Sequence, residues 1–467
     1  MKRVFGPLLR LGSGTQAKIL VTFAIGQALV LLTGLARIPI IVHAIGAVGY
    51  GLLLSITSIA PWLLLAVGGL TNVARVDVAE ALGAGDTHRA LAVLDSLLHR
   101  ARRMALALIV ISVLVMVVPW SGILGSDEHM PLAAYELPVS VAVSGLLVAS
   151  STPGAVHQGL LQADRRVVIT SILPGVAATL SLLITAVAAA VSAPFLAFVV
   201  ATGVASSAPY WIAHILGRQQ QARLRGKVTE QPDGTTAGHR PGTVGDLVVM
   251  TGAAAPPLFS TGWDPLTLGA AAGPADVAAY GLASRLALLV SVGPSALYPH
   301  YWSEYARLRA GGDLGALARR LRRDVVVVTA LTATLGAVFV AIGPIVGRYI
   351  GSGAIAQPVA LYVAMAVLGV LTAVQTVLLP VLGDRESARI VAGLVFGFML
   401  PNVALSYLLS RTMGAYGPVV ASIIFCSLLL IVAAVLIKRR LTGAGPATND
   451  DGPDGDRRAG VRRQLRR

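Results

Sequence analysis

Arg37, Asp264 and Arg285 each stand inside or beside a long apolar run. Arg37 lies within VTFAIGQALVLLTGLARIPIIVHAIGA, Asp264 opens DPLTLGAAAGPAD, and Arg285 follows in VAAYGLASRLALLV. A guanidinium at the centre of a bilayer-crossing helix costs about 2.5–3.5 kcal/mol on insertion scales, so it needs a partner, water or an anion. Arginine suits phosphate and carboxylate because its N–H groups form a planar, bidentate fork. The chemistry expected of these residues is therefore non-covalent. Arg37 and Arg285 would attract an anionic cargo, while Asp264 would either hold one arginine in place or couple to a cation. Gln375, deep in another apolar run, is expected to line the same cavity or to bond across helices.

Gln27, His157, Gln158, Asn72, Tyr298 and His300 are weaker signals, and His157 reads as an interfacial or packing histidine. Motifs for catalysis are missing from the sequence. It contains no Gly-rich phosphate loop, metal-ligand motif or nucleophile motif. The single Cys426 provides neither a disulfide framework nor a metal site. Asp127, Glu128, His129 and Glu136 cluster without a second histidine or an arginine, and read as a solvated turn. The expectation is a protein that is not an enzyme and has no cofactor or metal.

Such buried charges must be positioned by membrane-spanning helices. The 467 residues are 55% hydrophobic and 13% charged, with mean hydropathy +0.76, whereas soluble domains carry about 25% charged residues. Twelve apolar stretches can each cross hydrocarbon as a helix, at about 19–44, 52–74, 104–120, 137–161, 167–190, 193–216, 246–271, 277–300, 324–346, 358–381, 387–409 and 415–437. The fold class predicted is an all-α polytopic membrane protein with about twelve transmembrane helices. Residues 1–216 form a first six-helix lobe, 217–245 a cytoplasmic linker, 246–440 a second six-helix lobe, and 441–467 a disordered basic cytoplasmic tail.

All but four of the 37 Lys and Arg residues fall on one side of this arrangement, the exceptions being Arg37, Arg285, Arg348 and Arg411. By the positive-inside rule that side is cytoplasmic and includes both termini. Stretches 88–103 and 313–323 read as amphipathic segments on the inner headgroups. Pro39, Pro174, Pro256, Pro257 and Pro265 read as helix kinkers.

The halves repeat. Tyr50-Gly51 pairs with Tyr280-Gly281, Gly85-Asp86 with Gly312-Asp313, and Asp164-Arg165 with Asp384-Arg385, at offsets of 230, 227 and 220. Six spans per half make the repeats parallel, related by an axis along the membrane normal. Arg37 and Asp264 then fall at similar depth in corresponding helices, and Arg285 lies where it could pair with Asp264.

The stretches ARIPIIVHAIGAVGYGLLLSITSI and GGLTNVARVDVAEALGAGDTHRA, with WDPLTLGAAAGPADVAAYG and PHYWSEYARLRAGGD later in the chain, resemble Wzx-type polysaccharide flippases. These lipid-linked oligosaccharide translocases belong to the multidrug/oligosaccharidyl-lipid/polysaccharide (MOP) exporter superfamily. The resemblance covers the twelve-span body and departs after Asp264, where a basic residue often follows and this chain has Pro265. It implies two pseudo-symmetric lobes around a central cavity, working by alternating access. The implied function is transfer of an undecaprenyl-diphosphate-linked glycan from the inner to the outer leaflet of a bacterial cytoplasmic membrane. The implied partners are that glycan lipid, the surrounding membrane lipids, and glycan polymerase or assembly machinery. The alternative is a multidrug or small-molecule exporter of the same superfamily, a cation-coupled antiporter. Exporters of cationic drugs favour acidic cavities, so two deep arginines against one aspartate argue for anionic cargo.

Overall fold

The computed structural model describes residues 14–120, 135–164, 166–228, 262–310, 313–351, 353–355, 357–382 and 385–441. Twelve α-helices carry them, with no strand among the described residues: α1 (Gly14–Thr57), α2 (Ile59–Gly83), α3 (Thr87–Leu114), α4 (Glu136–Ala163), α5 (Val167–Ala190), α6 (Phe195–Val228), α7 (Asp264–Ala272), α8 (Pro274–Ala310), α9 (Leu314–Ile350), α10 (Val359–Leu378), α11 (Arg385–Met413) and α12 (Gly417–Leu441). They follow the twelve expected spans in order. Helix α7 holds only the end of the seventh span, since 246–261 lie outside the described residues, as do the tail from 442 and linker residues 229–245. Helix α6 continues to Val228, so the first part of the expected linker is helical.

Among the described residues, seven stretches, drawn from α1 with the start of α2, α4–α6 and α9–α12, are long and apolar enough to cross a membrane. Leu106, Val110 and Leu114 on α3, and Ile342 and Ile345 on α9, are exposed. Apolar surface left in water forgoes about 25 cal/mol per Å², so these belts belong in hydrocarbon.

The internal repeat is visible in backbone geometry. Gly46 (φ 74°, ψ 172°) breaks α1, and Gly273 (φ 92°, ψ 171°) separates α7 from α8. A left-handed φ followed by extended ψ is accessible to glycine and strained for other residues. Asp86 and Asp313 cap α3 and α9, accepting from the backbone N–H of Arg89 at 2.8 Å and of Ala316 at 2.7 Å. Both pairs are 227 residues apart, which sets the register. The two Tyr-Gly pairs, 230 apart, are therefore offset by about one helical turn. In the 227 register Arg37 and Asp264 are equivalent positions bearing opposite charge.

The lobes meet chiefly through α1, against α7, α8 and α9. Ser55 Oγ donates to the Pro265 carbonyl at 3.1 Å. Gly51 lies directly against the Pro274 carbonyl, and Gly281 against Leu54 and the Tyr50 hydroxyl. The Gly51–Pro274 contact lies beside the Gly46 and Gly273 turns, on the side away from the basic turns, and the Ser55–Pro265 bond lies nearer mid-depth.

One local expectation is corrected. The stretches 88–103 and 313–323 are the first turns of α3 and α9, continuous with the spans. Their leucines are buried by protein: Leu91, Leu94, Leu97 and Leu98 pack on Val73, Ala74, Val156, Leu160 and Leu224, while Leu317 and Leu321 pack with Tyr301 and Tyr305. Pro265 stands in the first turn of α7, where its missing N–H has no helical acceptor to lose; the span before residue 262 lies outside the described residues.

Candidate functional site

Arg37 lies nine residues before Gly46, and Arg285 twelve residues after Gly273. At 1.5 Å per residue these are ~14 and ~18 Å from the two hairpins, about half of a ~30 Å hydrocarbon core. Both guanidiniums line one cavity of about 220 Å³ between α1, α5, α6 and α8. Thr33, Tyr50, Thr202 and Ser206 contribute polar groups to its wall, Pro174 sits in it, and among the described residues no carboxylate lines it.

The packing of α5 and α6 against α1 fixes Arg37. One terminal nitrogen donates to Ser181 Oγ at 2.6 Å and the other to Thr202 Oγ1 at 2.8 Å. Each hydroxyl spends its own hydrogen on a helix carbonyl, Ser181 on Ala201 at 2.5 Å and Thr202 on Phe198 at 2.8 Å. Their lone pairs are thereby aimed at the guanidinium. This clamp holds Arg37 without neutralising it, since neither hydroxyl carries charge. Arg285 makes no hydrogen bond or ion pair among the described residues. Among the described residues the cavity thus holds a clamped Arg37 and, beside it, Arg285.

Asp264 is elsewhere. It is 1% exposed and accepts from the Tyr280 hydroxyl at 2.7 Å. The Asp264–Arg285 pair expected from matching depth does not form. Tyr280 and Arg285 are five residues apart on α8, about 140° around the helix at 100° per residue. The face turned to α7 therefore carries Tyr280, and Arg285 is turned towards α1. Gln375 is also outside the cavity: it is buried in the second lobe, and its side-chain amide donates to the Cys426 carbonyl across α10 and α12 at 3.3 Å.

Gln27, Asn72 and Gln158 are partly buried and do not line the cavity. His157 is buried against His214, a residue the sequence did not single out. The side chains of Tyr298 and His300 lie outside the described residues, as do Asp127, Glu128, His129, Pro256 and Pro257, while Glu136 opens α4. Sequence reasoning also missed Ser181, Thr202 and the cavity role of Tyr50. The hydroxyls look like ordinary small residues in apolar helices, and only the fold brings them to Arg37.

No family profile and no curated protein sequence matches this chain. Solved structures do. A multidrug resistance MATE family transporter of the MOP superfamily, in an inward-facing conformation, superposes with a TM-score of 0.59 at 14% identity, over 92% of this chain and 96% of that one. The Vibrio cholerae MATE transporter VcmN is similar at a TM-score of 0.56 and 15% identity, over 92% and 97%. A MOP superfamily transporter from Pyrococcus furiosus, described as having a binding pocket of reverse polarity that suggests a different function, matches at 0.53 and 15%, over 92% and 95%. The fold is the two-lobed fold of MOP transporters.

Proposed function

We propose that this protein carries an anionic lipid-linked glycan across a bacterial cytoplasmic membrane by alternating access. The basic face is cytoplasmic, and undecaprenyl diphosphate is the headgroup that Arg37 and Arg285 receive. One observation carries this reading: two guanidiniums share a mid-depth cavity with no carboxylate among the described residues that line it. Two cations in low dielectric repel each other, and an anion between them relieves that repulsion. Each charge-assisted hydrogen bond to a phosphate oxygen contributes about 1.5–3 kcal/mol. Arg37 is pre-positioned by Ser181 and Thr202, which lowers the ordering cost of binding, and Arg285 is free to close on the ligand. The lobe contact beside the Gly46 and Gly273 turns fits a state closed on that side. Glycan polymerase or assembly machinery would take the product on the outer side.

A second reading, an exporter of drugs or other small molecules, has support from the MATE transporters that share the fold. Cationic drugs fit this cavity poorly, while the Pyrococcus furiosus relative is described by a pocket of reverse polarity.

The test is complementation of a bacterial host lacking its own flippase, with wild type, Arg37→Ala and Arg37→Lys at matched membrane levels. The wild type is expected to restore surface glycan, Arg37→Ala to abolish it, and Arg37→Lys to restore part. A fully active Arg37→Ala protein would overturn the role of the cavity. A wild type that exports no glycan in several hosts but lowers accumulation of a cationic dye would establish the second reading.

A further inference from the structure

A second polar constellation lies away from the cavity, where α4 crosses α6 near the basic face. His157 of α4 is 1% exposed, and its ring meets His214 of α6 edge-on, with centroids 4.7 Å apart at 87°. His157 Nδ1 lies 3.1 Å from the Pro153 carbonyl oxygen and 3.2 Å from His214 Nδ1. His157 Nε2 lies 3.4 Å from Gln221 Oε1. The orientation of that amide is set from outside. Gln221 Nε2 donates to Asp95 Oδ1 at 2.8 Å, and a carboxylate can only accept, so the amide oxygen must face the imidazole. Asp95 is in turn held by Arg225 at 3.1 Å. Gly217 packs against the His157 ring so closely that a Cβ there would overlap it.

Both ring nitrogens of His157 therefore face oxygen acceptors. A neutral imidazole has one N–H; with that hydrogen on Nδ1, the Nε2 lone pair opposes the Gln221 oxygen. Adding a proton at Nε2 turns this repulsive contact into a hydrogen bond. A second proton cannot follow easily, because it would occupy His214 Nδ1 and set N–H against N–H at 3.2 Å.

We propose that His157 and His214 form a site that binds one proton, and only one, at the basic-face end of the first lobe. The proton rests on His157, whose ring then donates from Nδ1 to the Pro153 carbonyl and from Nε2 to Gln221 Oε1. The two histidines are the titratable groups of the junction. Around them stand Asp95 and Arg102 on α3, Arg218 and Arg225 on α6, and Arg75 on α2, whose backbone nitrogen borders Gly159. Helix α6 also carries Thr202 of the Arg37 clamp, twelve residues or ~18 Å from His214. Proton occupancy thus acts on the helix that positions Arg37. The site stands whether the cargo is a glycan lipid or not.

Selective ¹⁵N-histidine NMR of the full chain in detergent, with EDTA present, reads this directly. Eight histidines give eight ring systems, assigned by His→Gln replacement at the seven positions other than 157, so no His157 variant has to fold. As pH falls from about 8 to 5, His157 is expected to acquire the doubly protonated signature while His214 Nδ1 stays unprotonated. Gln221→Met, which keeps the bulk but removes the acceptor, is expected to abolish that state of His157. Independent titration of both rings, no protonation of either by pH 5, or a Gln221→Met protein identical to wild type would each overturn the proposal. A signature that EDTA removes and zinc restores would also overturn it, making this a metal site.

Discussion

Gly51→Ala puts the contact between the lobes to a quantitative test. A Cβ at Gly51 would overlap the Pro274 carbonyl oxygen and lie 2.7 Å from its carbon and 3.1 Å from its Cα, whereas ordinary carbon contacts need about 3.5–4.0 Å. Those atoms are backbone at the start of α8, so the neighbour cannot rotate away. The helices must separate by roughly 1 Å, and the Ser55–Pro265 hydrogen bond at 3.1 Å goes with them. Overpacking costs about 1–3 kcal/mol and the lost bond about 0.5–1.5 kcal/mol. Taken at ~3 kcal/mol, the closed opposite face loses about two orders of magnitude in population relative to its open form. Gly281→Ala is the internal control: its Cβ would meet chiefly the end of the flexible Leu54 side chain, so its effect should be much smaller. The assay is labelling of Leu54→Cys, in a Cys426→Ser background, by a membrane-impermeant maleimide added to the opposite face. Labelling should rise strongly with Gly51→Ala and weakly with Gly281→Ala. Equal labelling in all three backgrounds, with expression and Tm unchanged, would refute the assignment of this contact as the closed side.

Two further outcomes follow from the packing. Tyr280→Phe deprives buried Asp264 of its hydroxyl donor at 2.7 Å, and should cost about 1–3 kcal/mol of stability, seen as a lower Tm in detergent; Asp264→Asn in the same background should recover part of it. Asp86→Ala and Asp313→Ala each remove one N-cap bond, so each should destabilise by about 1 kcal/mol and to a similar extent, measured by thermal unfolding of the two single variants.

The order of the described helices was legible because apolar stretch length is dictated by the thickness of hydrocarbon. The repeat was legible through Gly85-Asp86 and Gly312-Asp313, because Asp86 and Asp313 carry the distinctive chemistry of a helix N-cap. The Tyr-Gly pairs suggested a register one turn away from the one marked by Gly46 and Gly273, since a helical hairpin can change by a turn without losing its shape. Depth along a helix was also readable, which put Arg37, Asp264 and Arg285 at one level. Azimuth was not: Asp264 and Arg285 share a depth but face different neighbours, and only the packed structure shows Tyr280 in the place expected for Arg285. Ser181, Thr202 and Gln221 could not be found from sequence, because a hydroxyl or amide in a helix gains its role from a partner more than sixty residues away. The apolar faces of residues 88–103 and 313–323 were recognised, but their partners are other helices of the same chain.

The most direct measurement of the central claim is equilibrium binding of undecaprenyl diphosphate to the purified protein in detergent, with undecaprenol as the neutral control. Arg285→Gln and Arg285→Lys should be compared with wild type, each checked for an unchanged Tm. A cavity with two guanidiniums, and no carboxylate among the described residues that line it, predicts that the wild type prefers the diphosphate. Arg285→Gln should weaken that binding by about tenfold or more, from the loss of about 1.5–3 kcal/mol, and Arg285→Lys should keep part of it. Equal affinity for diphosphate and alcohol, or a folded Arg285→Gln protein that binds the diphosphate as tightly as wild type, would contradict the assignment of the cavity to an anionic cargo.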